Sequence, residues 1–286
     1  MKYFIILTSF FISTASIAME VVPQRGILIA IEGIDGSGKS TFARHLEDAL
    51  HKTYAKVKLT KEPGDTEVGK KIREMVQRQN EPLDAKTEFL LFAADRAEHF
   101  SKVIQPLLEK NYIIISDRLA DSSLAYQGYG KELDKEMIKS INTWAMNGIK
   151  PDLTIFLKVH EKIALERIQK RNEAITAFEK EPFLKKVAQG FEKIYGGEGY
   201  CNLKTYKNIM DLYQHTETTI TKTFLKIGVN LAVTDPEFET IPAQRIKLIT
   251  VDGAASEEEI VVTVIPGIQQ WLTKIIAQQK LQKDFK

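Results

Sequence analysis

Eight residues constrain this chain more than any others: Gly33-Ile34-Asp35-Gly36-Ser37-Gly38-Lys39-Ser40. They fit the pattern G-x-x-x-x-G-K-[ST]. An almost continuous apolar run, Gly26 to Glu32, precedes them, and a helical pattern with Phe42, Leu46 and Leu50 on one face follows. A strand buried on both faces reads as such a run, and the spacing after the loop is that of an amphipathic helix. Glycines allow backbone N–H groups to turn inward around phosphate oxygens, and the start of the helix adds a favourable dipole end. Lys39 is then placed to reach the β- and γ-phosphates and the Ser40 hydroxyl to ligate Mg²⁺. The loop implies a nucleoside triphosphate; it does not say which reaction.

The rest of the chain alternates strands and helices. Strand patterns lie at 56–60, 112–116, 153–157 and 246–250, and helical patterns at about 67–78, 85–109, 132–147, 161–172 and 182–195. A final helical stretch begins after Ala255-Ser256, and Pro266 within it is expected to kink or split it. The alternation predicts an α/β fold: a mostly parallel five-stranded sheet with helices on both faces. One domain, 24–275, accounts for the pattern. Residues 196–243 read as an insertion within it, a surface excursion without a catalytic part.

Composition excludes several classes. Lys+Arg exceed Asp+Glu by only two, which argues against a dedicated nucleic-acid binder. Cys201 is the single cysteine, so there is neither an intrachain disulfide nor a multi-cysteine zinc site. Lys2 followed by uncharged, mostly apolar residues to Ser16-Ile17-Ala18 has the layout of a signal peptide and is short for a membrane span. The alternative is a translation start at Met19. Residues 1–18 are set aside from the fold.

In open α/β sheets ligands bind beyond the carboxyl ends of the strands. Lys61-Glu62-Pro63-Gly64 and Asp117-Arg118 fall at such ends, and Asp95-Arg96 lies on the helix that carries Phe92. An isolated Asp-Arg pair is usually a surface ion pair of little consequence. Asp117-Arg118 differs because an apolar strand delivers it to the ligand edge, where Asp117 suits a hydrated Mg²⁺ and Arg118 a bidentate phosphate clamp.

These motifs resemble the thymidylate kinases of the bacterial kind. The resemblance covers about 24–195 and 244–275. It rests on Ile31 through Thr41, Lys61-Glu62-Pro63-Gly64, Leu91-Phe92-Ala93-Ala94-Asp95-Arg96, Ser116-Asp117-Arg118, Ser122-Ser123-Leu124-Ala125-Tyr126-Gln127-Gly128 and Pro151-Asp152-Leu153-Thr154. It implies a P-loop three-layer fold with a helical lid at about 166–181, and transfer of phosphate from ATP to dTMP with Mg²⁺. The ATP-binding residues are then Gly33, Ile34, Asp35, Gly36, Ser37, Gly38, Lys39, Ser40 and Thr41. The dTMP-binding residues are Lys61, Phe92 (stacking on thymine), Arg96 and Gln127 (reading the base), Arg118 (acceptor phosphate) and Tyr126 (near the deoxyribose). Ser40 and Asp117 are the metal residues. Lys39, Arg118, Asp35 and a lid cation are the catalytic ones.

Four departures stand out. Lys61 replaces a usual arginine, Asp65 a usual glycine and Leu119 a common tyrosine. The lid has Thr176-Ala177 before Phe178-Glu179 where the bacterial kind tends to carry Asp-Arg. By the resemblance, members with no basic residue inside the phosphate loop take their catalytic arginine from the lid, and this loop has none before Lys39, so the lid is expected to supply it. Arg167, Lys170 and Arg171 are the candidates, and Arg171 is taken. The alternatives are another nucleoside or nucleoside-monophosphate kinase, or a nucleotide-binding module impaired by its altered lid. The substrates of the resemblance are cytoplasmic pools, so the expected location is the cytoplasm, with translation from Met19. The family is commonly homodimeric, an expectation whose interface the sequence does not show.

Overall fold

The computed structural model describes residues 25–77, 82–171, 176–196, 230–233 and 246–284. Its centre is one sheet. In chain order the strands are β1 (Ile27–Glu32), β2 (Val57–Lys61), β3 (Ile113–Asp117), β4 (Leu153–Lys158), β5 (Asn230–Val233) and β6 (Ile246–Asp252). In space they run β2-β3-β1-β4-β6-β5. The first five in that order are mutually parallel, with Ile29 opposite Ile115 and Ile31 opposite Ile155. The five-stranded parallel sheet is therefore as the sequence implies. A sixth, short strand differs: β5 comes from the stretch read as a surface excursion, and it pairs antiparallel to β6 at the edge. The remainder of 196–243, and the signal-like residues 1–18, lie outside the described residues apart from Gly196.

The alternation of side chains across β1 explains the layers. Ile27, Ile29 and Ile31 face one side, where they meet Phe42, Leu46 and Leu50 of α1 (Lys39–His51) and Val264, Ile268, Trp271 and Leu272 of the C-terminal helix. Leu28 and Ala30 face the other, against Phe100, Ile104 and Leu108. Each fully buried aliphatic side chain contributes roughly 1.5–3 kcal/mol relative to exposure.

The other helices are α2 (Glu67–Val76), α3 (Ala85–His99), α4 (Gln105–Glu109), α5 (Ala120–Ser123), α6 (Lys135–Ala145), α7 (Glu161–Gln169), α8 (Glu181–Tyr195) and α9 (Glu257–Asp284). Thr66 caps α2, accepting the Gly69 N–H at 2.9 Å. A widened π-helical stretch, Phe100–Ile104, joins α3 to α4, and another, Leu124–Gly130, extends α5. The helical run over 120–130 carries no pattern the sequence reading used, because nearly all of it from Ser122 to Gly130 is buried and no polar stripe marks a face. α9 is not split at Pro266. By length and composition α9 is apolar enough to cross a membrane, yet its Trp271, Ile268 and Leu272 are buried in the sheet core.

Candidate active site

The phosphate loop joins β1 to α1. Gly33, Gly36 and Gly38 all have positive φ, at 148°, 78° and 92°. A Cβ on Gly36 would lie 2.3 Å from the Ala164 carbonyl oxygen of α7, so the loop backs directly onto the lid helix. Lys39 is buried, and its Nζ donates to the Ile34 carbonyl at 2.7 Å. Burial first, and the Arg118 charge second, pull its ammonium down to about 8. Ser40 Oγ donates to Asp117 Oδ2 at 2.5 Å. Asp117 Oδ1 is buried with no hydrogen-bond partner, as is Ser37 Oγ. A cavity of about 360 Å³ opens here, lined by Gly36, Gly38, Thr41, Glu257, Arg167 and Arg171 among others.

A second cavity, of about 230 Å³, lies across Arg118. Arg118 follows directly on β3 with φ 77°, a region costing roughly 1–3 kcal/mol for a residue with a side chain. Its Nη2 lies 2.5 Å from Asp35 Oδ1 and 3.3 Å from the Tyr126 hydroxyl, and its Nη1 donates to the Gly33 carbonyl at 3.1 Å. The guanidinium also lies 5.0 Å over the Tyr126 ring. Tyr126 donates to Asp35 Oδ2 at 2.8 Å. Burial alone would raise the Asp35 carboxyl, but Arg118 and Lys39 outweigh it and hold it below the ordinary aspartate value. Burial pushes the Tyr126 phenol up, with Arg118 opposing.

Phe92, Arg96, Tyr126 and Gln127 line this second cavity together with Arg118 and Asp35, so the structure gathers these residues in one place. Phe92 meets Phe178 edge-on at 6.4 Å. The Gln127 amide donates to Glu88 at 2.8 Å. Arg96 is almost wholly enclosed. Its donors go to Glu62, Ser123, Asn142 and the Leu119 carbonyl. To reach a base carbonyl it has to share a hydrogen already given to protein. Glu62 also meets His99 at 3.0 Å, and Thr60 joins His99 to Asp65. The aspartate at this unusual position thus closes a buried polar chain. Burial raises Glu62, but Arg96 and His99 overcome that and hold its carboxyl low. Beside it Asp95 is pushed up to about 6, by burial and then by the Glu62 charge.

Two candidates stand apart. Lys61 is exposed at the end of β2 and lines neither cavity, and Lys170 is exposed at the end of α7. Arg73 was missed by the sequence reading. It lines the second cavity and donates to the Pro63 carbonyl at 3.0 Å. Its only signal was one arginine in a basic stretch of α2, which a solvated helix face explains as well.

The two arginines of the expected lid differ in their partners. Arg167 donates to the Gly253 carbonyl at 2.7 Å. Arg171 is half-exposed, lies 3.8 Å from Glu179, and lines both cavities. Thr176, standing where an aspartate is usual, caps a short turn at Ala177–Glu179 by a reciprocal pair of bonds with Glu179.

A glycine loop between a buried parallel strand and its helix, with a buried lysine at its end and a second cavity that shares Arg171 with the first, defines a P-loop nucleotide-binding protein. The comparisons narrow the class. The family model described as thymidylate kinase matches residues 31–215. The thymidylate kinase of Halothermothrix orenii is 46% identical over 144 residues, covering 50% of this chain and 70% of that protein. That of Prochlorococcus marinus strain AS9601 is 38% identical over 211 residues, covering 70% and 98%. A crystal structure of thymidylate kinase from Ehrlichia chaffeensis superposes with a TM-score of 0.50 at 34% identity, over 60% of this chain and 87% of that one. The chain belongs to the thymidylate kinase family.

Proposed function

We propose that this enzyme transfers the γ-phosphoryl group of ATP to dTMP, giving ADP and dTDP. The observation that carries the reading is the shared wall: Arg171 borders both the cavity at the phosphate loop and the cavity holding Phe92, Arg118 and Gln127. A donor in the first and an acceptor in the second then meet beside two arginines. Transfer is direct, with no covalent enzyme intermediate, because positioning and charge stabilisation dominate this chemistry.

Each residue has a defined task in this reading. Amides of the loop from Gly33 to Thr41 and the Lys39 ammonium hold the ATP phosphates. Arg118, braced by Asp35, presents its guanidinium to the acceptor phosphate, and Arg73 and Arg171 add charge around the transferred group. Phe92 stacks on thymine, while the Gln127 carbonyl oxygen is left to accept from the base N–H. Tyr126 packs at the deoxyribose. Phe178, Thr176 and Glu179 close the cavity wall and exclude water, which would otherwise compete as acceptor.

The residues present fit Mg²⁺. Ser40 Oγ and the Asp117 carboxylate adjoin, and the unpartnered Asp117 Oδ1 is an oxygen that a hydrated cation would satisfy. Ser40 Oγ and the Asp117 carboxylate would hold the ion, which would supply charge compensation for the phosphates.

We further place the reaction in the cytoplasm, where ATP and dTMP are held, and assign the enzyme as a homodimer, as is common in its family. Sedimentation velocity tests the second point: a monomer across micromolar concentrations would exclude it. The reaction is tested by an acceptor panel of dTMP, dUMP, dCMP, dGMP, AMP and thymidine with ATP and Mg²⁺, the products separated by chromatography. Clear preference for dTMP is expected. Turnover of another acceptor alone would assign a different kinase, and ATP binding without any product would leave an impaired nucleotide-binding module.

A further inference from the structure

We infer that Glu32 is a positioning residue for phosphoryl transfer, acting through the Ser122 hydroxyl on the guanidinium of Arg118. The inference rests on the kinase reading above and deepens it. Glu32 is the last residue of β1, immediately before the phosphate loop, and it is fully buried. Packing alone does not require a carboxylate there. A buried charge is costly unless its oxygens are satisfied, and here they are satisfied by one element only, the turn that follows Arg118. Oε1 accepts the Leu119 N–H at 2.8 Å and the Ser122 N–H at 3.3 Å, and Oε2 accepts the Ser122 O–H at 2.5 Å.

The direction of these bonds matters. The single hydroxyl proton of Ser122 is committed to Glu32, so the lone pairs of that oxygen are left for Arg118 Nη1, which donates to it at 2.9 Å. The chain carboxylate–hydroxyl–guanidinium thus fixes one arm of Arg118. The backbone of Arg118 is pinned independently, its N–H to the Ile31 carbonyl at 3.0 Å and its carbonyl by Ser116 Oγ at 2.8 Å. The positive φ of Arg118 throws its side chain back toward the loop, and Ser122, held by Glu32, joins the Gly33 carbonyl, Asp35 and Tyr126 in setting where that side chain stops. An amide at position 32 would present a donor to Ser122 on one side and break this polarity. The charged groups that bear on Glu32 are Asp121, Arg118 and Lys39.

Steady-state and single-turnover kinetics of the full chain at pH 8, where Glu32 is the carboxylate, test the inference, with Glu32→Gln and Ser122→Ala made alone and on an Arg118→Ala background. Ser122→Ala removes only the hydroxyl link and keeps the test open should Glu32→Gln fold poorly. Each single variant is expected to lower kcat with dTMP by about tenfold to a hundredfold, the scale of a misplaced reacting geometry, while KM for ATP stays within about twofold. On the Arg118→Ala background the same changes are expected to add less than about threefold, because residues acting through one another are not additive. Losses that multiply fully on that background, or wild-type kcat in both single variants, would overturn the inference. A wild-type enzyme inactive toward dTMP would overturn the reaction assignment instead, and the wild-type arm reports that separately.

Discussion

Arg118 and Asp35 meet at 2.5 Å, and each lines the cavity on the far side of the phosphate loop. Asp35 belongs to the loop, whereas Arg118 is the first residue after the neighbouring strand β3. Their contact therefore ties the donor cradle to the acceptor cavity through two adjacent strands of a rigid sheet. Replacing Arg118 with Ala is expected to lower kcat/KM for dTMP by about three orders of magnitude, the lower end for a phosphate-clamping arginine. ATP affinity, measured by calorimetry, is expected to change far less.

The lid arginines separate by their partners. Arg171, whose side chain makes no short bond among the described residues and borders both cavities, is expected to cost about three orders of magnitude in kcat when changed to Ala. Arg167, held on the Gly253 carbonyl in the donor cavity, is expected to raise KM for ATP while kcat falls much less. The reverse pattern in steady-state kinetics would transfer the catalytic assignment to Arg167.

Lys39 links ATP capture to pH. Its ammonium is depressed to about 8 by burial and by Arg118, so the free enzyme holds it cationic at pH 7 and loses the charge as pH rises past 8. The kcat/KM for ATP is expected to fall between pH 7.5 and 9, while kcat holds to higher pH because bound phosphates favour the ammonium. A flat kcat/KM profile up to pH 9.5 would contradict this.

Glu32 has the opposite bearing on stability. Burial, then the Asp121 charge, raises its carboxyl to about 7. Between about pH 4.5 and 7 the folded protein holds a proton that the unfolded chain has already released, so its contribution to stability is full below the unfolded value of about 4.5, while the carboxylate that accepts from Ser122 is the form present above about 7. That contribution is lost as pH rises to about 7. Glu32→Gln is expected to flatten this part of the Tm-against-pH curve relative to wild type. Parallel curves for the two proteins would show that Glu32 is ionised throughout.

Much of this was legible in residues whose type is dictated by backbone or chemistry. The glycines of 33–38, the apolar run of β1 and the Asp117-Arg118 step at a strand end each announce themselves, and the structure sets them beside two cavities that share Arg171. Arg96 was legible as a site residue but not its engagement, since Glu62, Ser123 and Asn142 come from three distant segments. The helix over 120–130 was hidden because burial on all sides erases periodicity. β5 was hidden because a four-residue edge strand within a long insertion carries no alternation long enough to read. Lys61 marked a plausible strand end, yet it is exposed and lines neither cavity.

The most direct test of direct transfer between the two cavities is a single-turnover experiment with γ-labelled ATP, Mg²⁺ and dTMP. The expected result is label on dTDP at the rate ADP appears, no label on protein, and neither product in Lys39→Ala or Arg118→Ala on the same time scale. Label confined to ATP and inorganic phosphate in the wild-type enzyme, whatever the acceptor, would contradict the account.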